Sequence, residues 1–389
     1  MRAANRMAAA AVLLALASFP PASAGSESGP VLSASPSTRG GSLDCESATE
    51  AVADARRDVR KAKRALRAAE TQRAEERARR RLRRAKKRLR AALEAKARAC
   101  ASDGLLRFIV TGAQGKGNQG QLDVAAAMDA KCAVSGCDYV IGLGNNIYDN
   151  GGSSTSDPQF ATKFETPYAD LDLPFWLGLG NHDYGGNGAG NEPAKAQVQV
   201  DYTSVSPSGD WRMPDQYYRR RDQHVEFFTL DTNAQMFGND AQQELDVPAW
   251  LADSTAHWKI ALGLHSYRSN GPHGNAGSYD NAPLTPIVNG AGVRDFIEDH
   301  ICGKADVYFS AFDHSLQWPQ QDTTNCPGTE LIVSGTGSST STLSTPPTYP
   351  THYQSATLGF AYVVIDDREM TVEFVDTEGT VLFTRTLTK

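Results

Sequence analysis

The chain has 389 residues with a formal net charge of −6, and 40% of them are hydrophobic. That length suffices for one large domain or two smaller ones, and the apolar content suffices for a sizeable core. Because no stretch after the N-terminus reaches about 18 consecutive apolar residues, the sequence excludes a helical membrane span.

Residues 1–24 have the pattern of a signal peptide. Arg2 and Arg6 precede an apolar run, and the small residues at 22–24 suit a cleavage site. The Gly/Ser/Pro-rich residues 25–44 follow as a flexible linker. The sequence therefore predicts a secreted or periplasmic protein.

Residues 45–100 form a basic helical segment. Residues 46–99 contain no Gly or Pro, and they carry 20 Lys and Arg against 8 Asp and Glu, a net charge of +12. Because the whole chain carries 39 and 45, the rest holds 19 and 37, a net charge of −18. Val52, Val59 and Leu66 recur every seven residues, which predicts a helical hairpin or coiled coil.

Two arrangements of this segment remain open. In one straight helix Cys45 and Cys100 would lie about 80 Å apart, so an intrachain disulfide needs the chain to fold back near residues 70–75. The alternative is an unbroken helix in a parallel dimer. The basic face is either a solvated surface or a contact for a polyanion or the cell envelope. No aromatic residue is interleaved for base stacking, so specific nucleic-acid recognition is not expected.

The other four cysteines suggest two local disulfides, Cys132 with Cys137 and Cys302 with Cys326. An exported chain favours disulfides, and free buried thiols are the alternative.

Residues 105–389 predict an α/β domain. Ten apolar, β-rich runs begin at Leu105 and end near the C-terminus, with helical stretches such as residues 119–133 between the early ones. The Ser/Thr/Pro-rich residues 334–357 are predicted to form a long surface loop.

Five of the β-rich runs end in polar loops. They read TGAQG from Thr111, GNNIYDNG from Gly144, GNHDY from Gly180, GLHSYRSNGPHG from Gly263 and AFDHSLQ from Ala311. Ligand sites of α/β folds gather at such carboxyl ends, so a site is expected where these loops meet.

In order and spacing, these loops resemble those of the calcineurin-like metallophosphoesterases, specifically the purple acid phosphatases of the tartrate-resistant type. The resemblance covers residues 105 to 388 and implies a β-sandwich flanked by helices. It also implies an iron and a second metal (iron, zinc or manganese) that activate a hydroxide against a phosphate monoester.

The resemblance matches five residues of this chain to functional positions. Tyr148 matches the tyrosinate that binds iron, Asn181 the amide ligand of the second metal, and His314 a histidine ligand. His182 matches the histidine that contacts phosphate and helps to protonate the leaving group. His273 matches a histidine that lies near phosphate without binding the metals.

Four matched ligand positions carry other residues. Ala113 stands for an iron-binding aspartate, Asn145 for the bridging aspartate, and Leu264 and Phe312 for histidines. The remaining set is weak for any metal, so no cofactor is expected at full occupancy. His265 would replace Leu264 only if its strand slipped by one residue.

These substitutions predict a pseudophosphatase, which keeps the fold without a working dinuclear site and binds a phosphate-like anion or phosphoester. Two alternatives remain. One is an active acid phosphatase with a reduced or rearranged metal site. The other is a structural envelope protein held by its basic helical segment.

Overall fold

A computed structural model describes residues 45–99, 104–238, 240–282, 288–321 and 326–389. The predicted signal peptide and linker lie outside the described residues, and so does the predicted Cys45–Cys100 disulfide.

The basic segment is a hairpin of two helices, α1 (Cys45–Arg67) and α2 (Gln72–Ala99). The chain reverses over residues 68–71, at the start of the window predicted for the turn. The backbone N–H of Ala74 lies 3.3 Å from the hydroxyl of Thr71, which caps the first turn of α2. A threonine cap thus restarts the helix where the sequence offers neither Gly nor Pro.

The hairpin has its own apolar seam and contacts the α/β domain through basic side chains of α1. Val52, Val59 and Leu89 are buried in the seam. Arg56 is buried and donates a hydrogen bond of 2.8 Å to the carbonyl of Cys137. Two ion pairs lie beside it, Arg60 with Asp129 at 3.1 Å and Lys63 with Asp172 at 3.6 Å.

Two seven-stranded sheets form the α/β domain. The first contains, in spatial order, β14 (Val381–Thr388), β13 (Glu369–Asp376), β12 (Gly359–Asp366), β1 (Leu105–Thr111), β2 (Tyr139–Gly142), β3 (Phe175–Leu177) and β4 (Trp211–Arg212). The second contains β11 (Thr351–Ser355), β9 (Leu316–Pro319), β10 (Glu330–Ser334), β8 (Val307–Ser310), β7 (Trp258–Leu262), β6 (Val225–Thr229) and β5 (Tyr218–Asp222).

The sheets pack face to face as a sandwich. Strands β1 to β4 are parallel in the first sheet, as are β6, β7, β8 and β10 in the second. Because side chains alternate along a strand, Phe108 and Val110 of β1 face the second sheet, where Phe108 meets Phe227 with ring centroids 5.4 Å apart. Ile109 faces the outer cluster that includes Met128. The predicted α/β sandwich with flanking helices is confirmed.

The flanking helices follow the strands. They are α3 (Gln119–Ser135), α4 (Pro158–Phe160, continued by a π-turn over Ala161–Glu165), α5 (Pro193–Tyr202), α6 (Thr232–Phe237), α7 (Gln243–Asp253) and α8 (Ala291–His300). No helix within the described ranges combines the length and apolarity that crossing a bilayer requires.

All ten predicted β-rich runs form strands, whereas β4, β5, β9 and β11 were not predicted. The prediction of one long surface loop over residues 334–357 is wrong in two respects. Ser334, Thr336 and Ser338 are buried against the loop after β1, and residues 351–355 pair with β9 as β11. Residues 351–355 are polar and show no apolar alternation, so the sequence does not predict this strand. They are extended because their backbone pairs with β9.

Both local disulfides are formed. Cys132 and Cys137 join the end of α3 to the start of β2, and Cys302 and Cys326 close a segment of 24 residues.

Candidate functional site

The five polar loops meet at the carboxyl ends of β1, β2, β3, β7 and β8. Gly180 shows how closely they approach, because a Cβ atom there would lie 2.3 Å from Oδ1 of Asn145 and 2.8 Å from Cδ2 of Leu264. Only a glycine permits this contact among three loops. The structure therefore brings together the matched residues that sequence spacing placed more than a hundred positions apart.

On one side of the site, which we call the tyrosine side (Ala113, Asn145, Tyr148 and His314), polar groups bond to one another. Nδ2 of Asn145 donates to the Tyr148 hydroxyl at 3.1 Å, and that hydroxyl lies 3.1 Å from Nε2 of His314. Nδ1 of His314 lies 2.8 Å from the hydroxyl of Ser339. The Tyr148 hydroxyl accepts from Asn145 and can donate to Nε2 of His314, in which case Nδ1–H of His314 donates to Ser339. The chain of hydrogen bonds is complete without a cation.

Asn145 uses both ends of its amide. Its Oδ1 accepts the backbone N–H of His182 at 3.0 Å, while its Nδ2 serves Tyr148. Asn145 and Ala113 both hold left-handed backbone, with φ of 58° and 53°. Asn and Asp adopt this region far more readily than Ala, so the strained Ala113 sits on backbone that suits an aspartate.

On the other side, which we call the phenylalanine side (Leu264, His265, His273 and Phe312), aromatic and aliphatic groups pack together. Phe312 stacks on His273 with centroids 4.2 Å apart and contacts His265 at 4.6 Å. Leu264 and His265 are fully buried. Nδ1 of His265 bonds to the hydroxyl of Thr232 at 2.8 Å, so the observed register does not deliver His265 as a substitute for Leu264.

His182 and His273 expose the same kind of ring edge. Nδ1 of His182 donates to the carbonyl of Asp149 at 2.7 Å, and Nδ1 of His273 donates to the Asp280 carboxylate at 2.8 Å. Each ring therefore keeps Nε2 for a ligand. A neutral Nε2 presents a lone pair, and only the protonated ring presents a donor to an anion.

Burial sets the protonation of these groups. It lowers the pKa of His182, and it lowers the pKa of His314 to about 4, with further lowering from Lys116 and the neighbouring histidines. Burial also raises the pKa of the Tyr148 hydroxyl far above its usual range, so the phenol stays protonated. The tyrosine side is therefore neutral near pH 7.

Lys116 is a residue of the site that sequence analysis missed. Its Nζ lies 5.0 Å from the centroid of the Tyr148 ring, and its charge acts on both His182 and His314. Burial lowers its pKa, while Asp149 opposes that shift. Its position five residues after β1, in the first of the five loops, was the available signal.

Two buried carboxylates in the matched loops were also not assigned from the sequence. Asp183 accepts the backbone N–H groups of Asn146, Ile147 and Gly180 at 2.9 to 3.0 Å. Asp313 accepts the backbone N–H of His273 at 2.9 Å. Both acids hold loops together, so neither replaces the aspartates missing at positions 113 and 145.

The donor set does not fit a dinuclear metal centre. No carboxylate occupies a matched ligand position, and the remaining donors are two amides, one phenol and one imidazole. Within the described part of the chain, no three His, Cys, Asp or Glu side chains are grouped to hold a metal ion. Among these four donors, Asn181 has its Oδ1 buried without a hydrogen-bond partner, while its Nδ2 donates to the carbonyl of Gly188 at 2.7 Å. A single amide oxygen is a poor ligand for a transition metal.

Comparison with known proteins identifies the ancestry of this arrangement. Purple acid phosphatase 3 of Arabidopsis thaliana is 28% identical over 307 residues, which cover 72% of this chain and 77% of that protein. Tartrate-resistant acid phosphatase type 5 of Oryctolagus cuniculus is 28% identical over 288 residues, which cover 65% of this chain and 80% of that protein. These curated homologues of the chain are purple acid phosphatases. No family model matches the chain.

Solved structures support the same fold. GAP50, titled the anchor in the inner membrane complex of Plasmodium, aligns with a TM-score of 0.57 and 19% identity over 73% of this chain and 89% of that chain. PhoD aligns with a TM-score of 0.50 and 12% identity over 73% of this chain and 68% of that chain. At these identities the likeness concerns the fold alone.

Proposed function

We propose that this protein is a pseudophosphatase that binds a phosphate-like anion at the candidate site without hydrolysing it. The observation that carries the proposal is the closed hydrogen-bond chain through Asn145, Tyr148 and His314. Donors that are satisfied by one another gain less from binding a cation than free donors do. The apolar Leu264 and Phe312 fill the matched positions opposite.

Hydrolysis of a phosphate monoester needs a strong nucleophile at neutral pH. In metal enzymes the ion lowers the pKa of its bound water to about 7. On this chain four matched ligand positions carry residues that would not hold such an ion, and His182 alone supplies only general acid or base help. General acid–base catalysis contributes typically about 10²–10⁴-fold, far less than a phosphatase requires.

Anion binding is supported by the groups that remain. Lys116 provides a cation, and His182 and His273 each offer Nε2 once protonated. Without metal ions the affinity is expected to be weak, with a dissociation constant of about 1 mM or higher.

The direct test measures metal content and turnover together. We expect the purified protein to be colourless, to carry well under one tightly bound iron per chain, and to leave an aryl phosphate intact. The colour of the family comes from a tyrosinate bound to iron, whereas the Tyr148 hydroxyl lies within hydrogen-bond distance of Asn145 and His314. Stoichiometric iron with a visible absorption band would overturn the proposal.

The proposed anion binding is tested by titrating phosphate into metal-free protein and monitoring the histidine ring signals by NMR. The ordinary pKa of histidine is about 6.5, and burial lowers that of His182. The protonated ring favours the anion, so affinity should rise as pH falls below 6.5, with little gain above it. If adding phosphate shifts neither the His182 nor the His273 signals at any fixed pH between 7 and 5, neither ring binds the anion.

The alternative of an active phosphatase with a rearranged site has one specific observation in its favour. Oδ1 of Asn181 and Nε2 of His265 are both buried without a partner. A metal that recruited both would satisfy them. Turnover that is abolished by exhaustive chelation and returns only with one added metal would favour this alternative over a pseudophosphatase.

We further propose that the protein acts outside the cytoplasm, where its hairpin contacts a polyanion or the cell envelope. The disulfides fit an oxidising compartment. The hairpin carries a high positive charge beyond what the ion pairs with Asp129 and Asp172 use. A structural envelope role remains the second candidate, and GAP50, the anchor in the inner membrane complex of Plasmodium, has this fold. Envelope binding with and without residues 45–100 tests it.

A further inference from the structure

A groove of about 330 Å³ runs between α1 and α2 of the hairpin. Its floor is made of alanines, Ala62, Ala65 and Ala85. Its walls are long and basic, and they are lined by Lys61, Arg81, Arg84 and Arg88. Because the floor residues are small and both walls carry cations, a narrow, extended anion would fit in the groove.

The groove does not face the α/β domain. Helical geometry places residues 100° apart around an axis, so Arg56, Arg60 and Lys63, which contact the domain, share one side of α1. Lys61 and Ala65 lie on the opposite side of the same helix. The groove cations are exposed to solvent, and contact with the acidic domain does not account for them.

Most of these cations lack a partner. Asp58 is the acid in the groove, and it lies 3.6 Å from Arg88. Among the described residues, Lys61, Arg81 and Arg84 have no acid within ion-pair distance. Like charges grouped on one surface repel one another, and an anion bound among them removes that cost.

The spacing favours a linear ligand. Arg81, Arg84 and Arg88 follow one another on α2 at about 4.5 and 6 Å along the helix axis, which suits charges that recur every few ångströms along a polymer. Arginine recognises phosphate oxygens with its paired N–H groups. No aromatic side chain lines the groove, so bases have no stacking platform.

We propose that this groove is a binding site for a linear phosphate polymer without aromatic bases, with Lys61, Arg81, Arg84 and Arg88 as its phosphate ligands. The inference rests on the proposed polyanion contact of the hairpin and assigns it to one face. The alanine floor admits the polymer, and the four cations neutralise successive phosphates.

The test uses the full-length protein and inorganic polyphosphate, and two matched variants. The groove variant combines Arg81→Gln, Arg84→Gln and Arg88→Gln. The control variant combines Arg80→Gln, Arg83→Gln and Lys87→Gln, which are exposed and are each one residue earlier along α2. Both variants lose three charges, and each breaks one surface ion pair, Arg88 with Asp58 or Arg80 with Glu76. Gln and Arg have similar helix propensities, and circular dichroism would verify equal helicity.

We expect the groove variant to bind polyphosphate about 100-fold more weakly than the unmodified chain, and the control variant within about threefold of it. The plot of log affinity against log salt concentration has a negative slope. In the groove variant this slope should become shallower by about 2, because three phosphate contacts are lost. A further variant with Arg→Lys at the same three groove positions keeps the charge but loses the paired N–H groups, and its affinity should lie between those of the groove variant and the unmodified chain. These titrations are run in excess orthophosphate at constant ionic strength. The orthophosphate occupies the candidate site, so that polyphosphate binding there does not contribute to the measured affinity.

Each failure has its own meaning. If both triple variants weaken binding equally, the hairpin contacts polyanions diffusely, and the groove assignment is wrong while the proposed contact stands. If the unmodified chain does not bind polyphosphate, the groove assignment and the proposed polyanion contact of the hairpin are both wrong. Binding of anionic phospholipid vesicles without binding of polyphosphate, or binding of an oligothymidine as tight as that of polyphosphate, would also overturn the ligand assignment.

Discussion

On the tyrosine side of the candidate site the side chains at matched ligand positions bond to one another, whereas on the phenylalanine side they pack without hydrogen bonds. Asn145, Tyr148 and His314 form a polar chain. Leu264 and Phe312 contribute only apolar surface, and Phe312 lies between two histidine rings. The tyrosine side is therefore stabilised by hydrogen bonds between its polar groups, and the phenylalanine side by packing of apolar surface.

The difference teaches that a buried polar side chain needs a hydrogen-bond partner, whereas an apolar side chain at a matched position needs only close packing. Unpaired donors in a buried site are expensive, so they acquire partners or give way to hydrocarbon. The tyrosine side keeps three polar side chains and left-handed backbone at Ala113 and Asn145. It is therefore the side closer to a metal site, and the following predictions are ordered by expected size.

Restoring the ligands on both sides has the largest expected effect. The combination Ala113→Asp, Asn145→Asp, Leu264→His and Phe312→His should tighten binding of a transition metal by at least about 1000-fold, because ligands act as a unit. The tyrosine-side pair alone should bind one metal weakly, and the phenylalanine-side pair alone should bind none. Calorimetric titration with zinc measures all three. Full affinity from any single change would contradict the account.

Removing the packing on the phenylalanine side should be costly. Phe312→Ala leaves a cavity among His265, His273 and Tyr279 and should lower the free energy of unfolding by about 3–5 kcal/mol. Urea denaturation measures it, with Phe383→Ala on the half-buried strand β14 as a control of smaller effect. A loss below about 1 kcal/mol would mean that Phe312 does not pack as described.

The tyrosine side should make the protein sensitive to acid. The pKa of His314 is about 4 in the folded chain and about 6.5 when unfolded. Its contribution to stability is therefore present above pH 6.5 and is lost as pH falls towards 4, by about 3 kcal/mol. The unmodified chain and His314→Gln should differ in this pH slope, while His300→Gln at the end of α8 should match the unmodified chain. Equal slopes in the chain and the His314 variant would exclude the effect.

Deleting one hydroxyl should have the smallest effect of the four. Tyr148→Phe leaves Nδ2 of Asn145 and Nε2 of His314 without a partner, which costs about 1–3 kcal/mol. Tyr353→Phe, at a half-buried ring on β11, is the control. If Tyr148→Phe is neutral to thermal and urea unfolding, the polar chain does not stabilise the site and the contrast between the two sides is lost.

The sequence predicted much of the fold because apolar runs carry their own signal. Strand β1 matches its predicted bounds, and α3 lies where a helical stretch was expected. Strands β4, β5, β9 and β11 were missed, since they are short or polar and owe their extended form to neighbouring strands. The buried start of the predicted surface loop has the same origin, because Ser334 and Ser338 bond to β1 and the loop after it.

The sequence also predicted which loops meet, but not how their side chains are used. Substitutions at Ala113, Asn145, Leu264 and Phe312 are visible by resemblance alone. The partners of Asn145 are not, and neither is the approach of Lys116 to Tyr148. Asp183 and Asp313 look like candidate ligands in a sequence, and only their backbone donors identify them as supports of the loops.

By itself the sequence determined the ten apolar strands, the basic helical segment and the identities of the residues at each loop. These follow from local properties, namely side-chain period, charge and backbone preference. Only the tertiary structure decided which donors remain free and which protonation states they hold, because both depend on burial and on partners from distant loops. His314 shows the limit most clearly: its place in the chain suggests a ligand, and its pKa of about 4 comes from the surfaces folded around it.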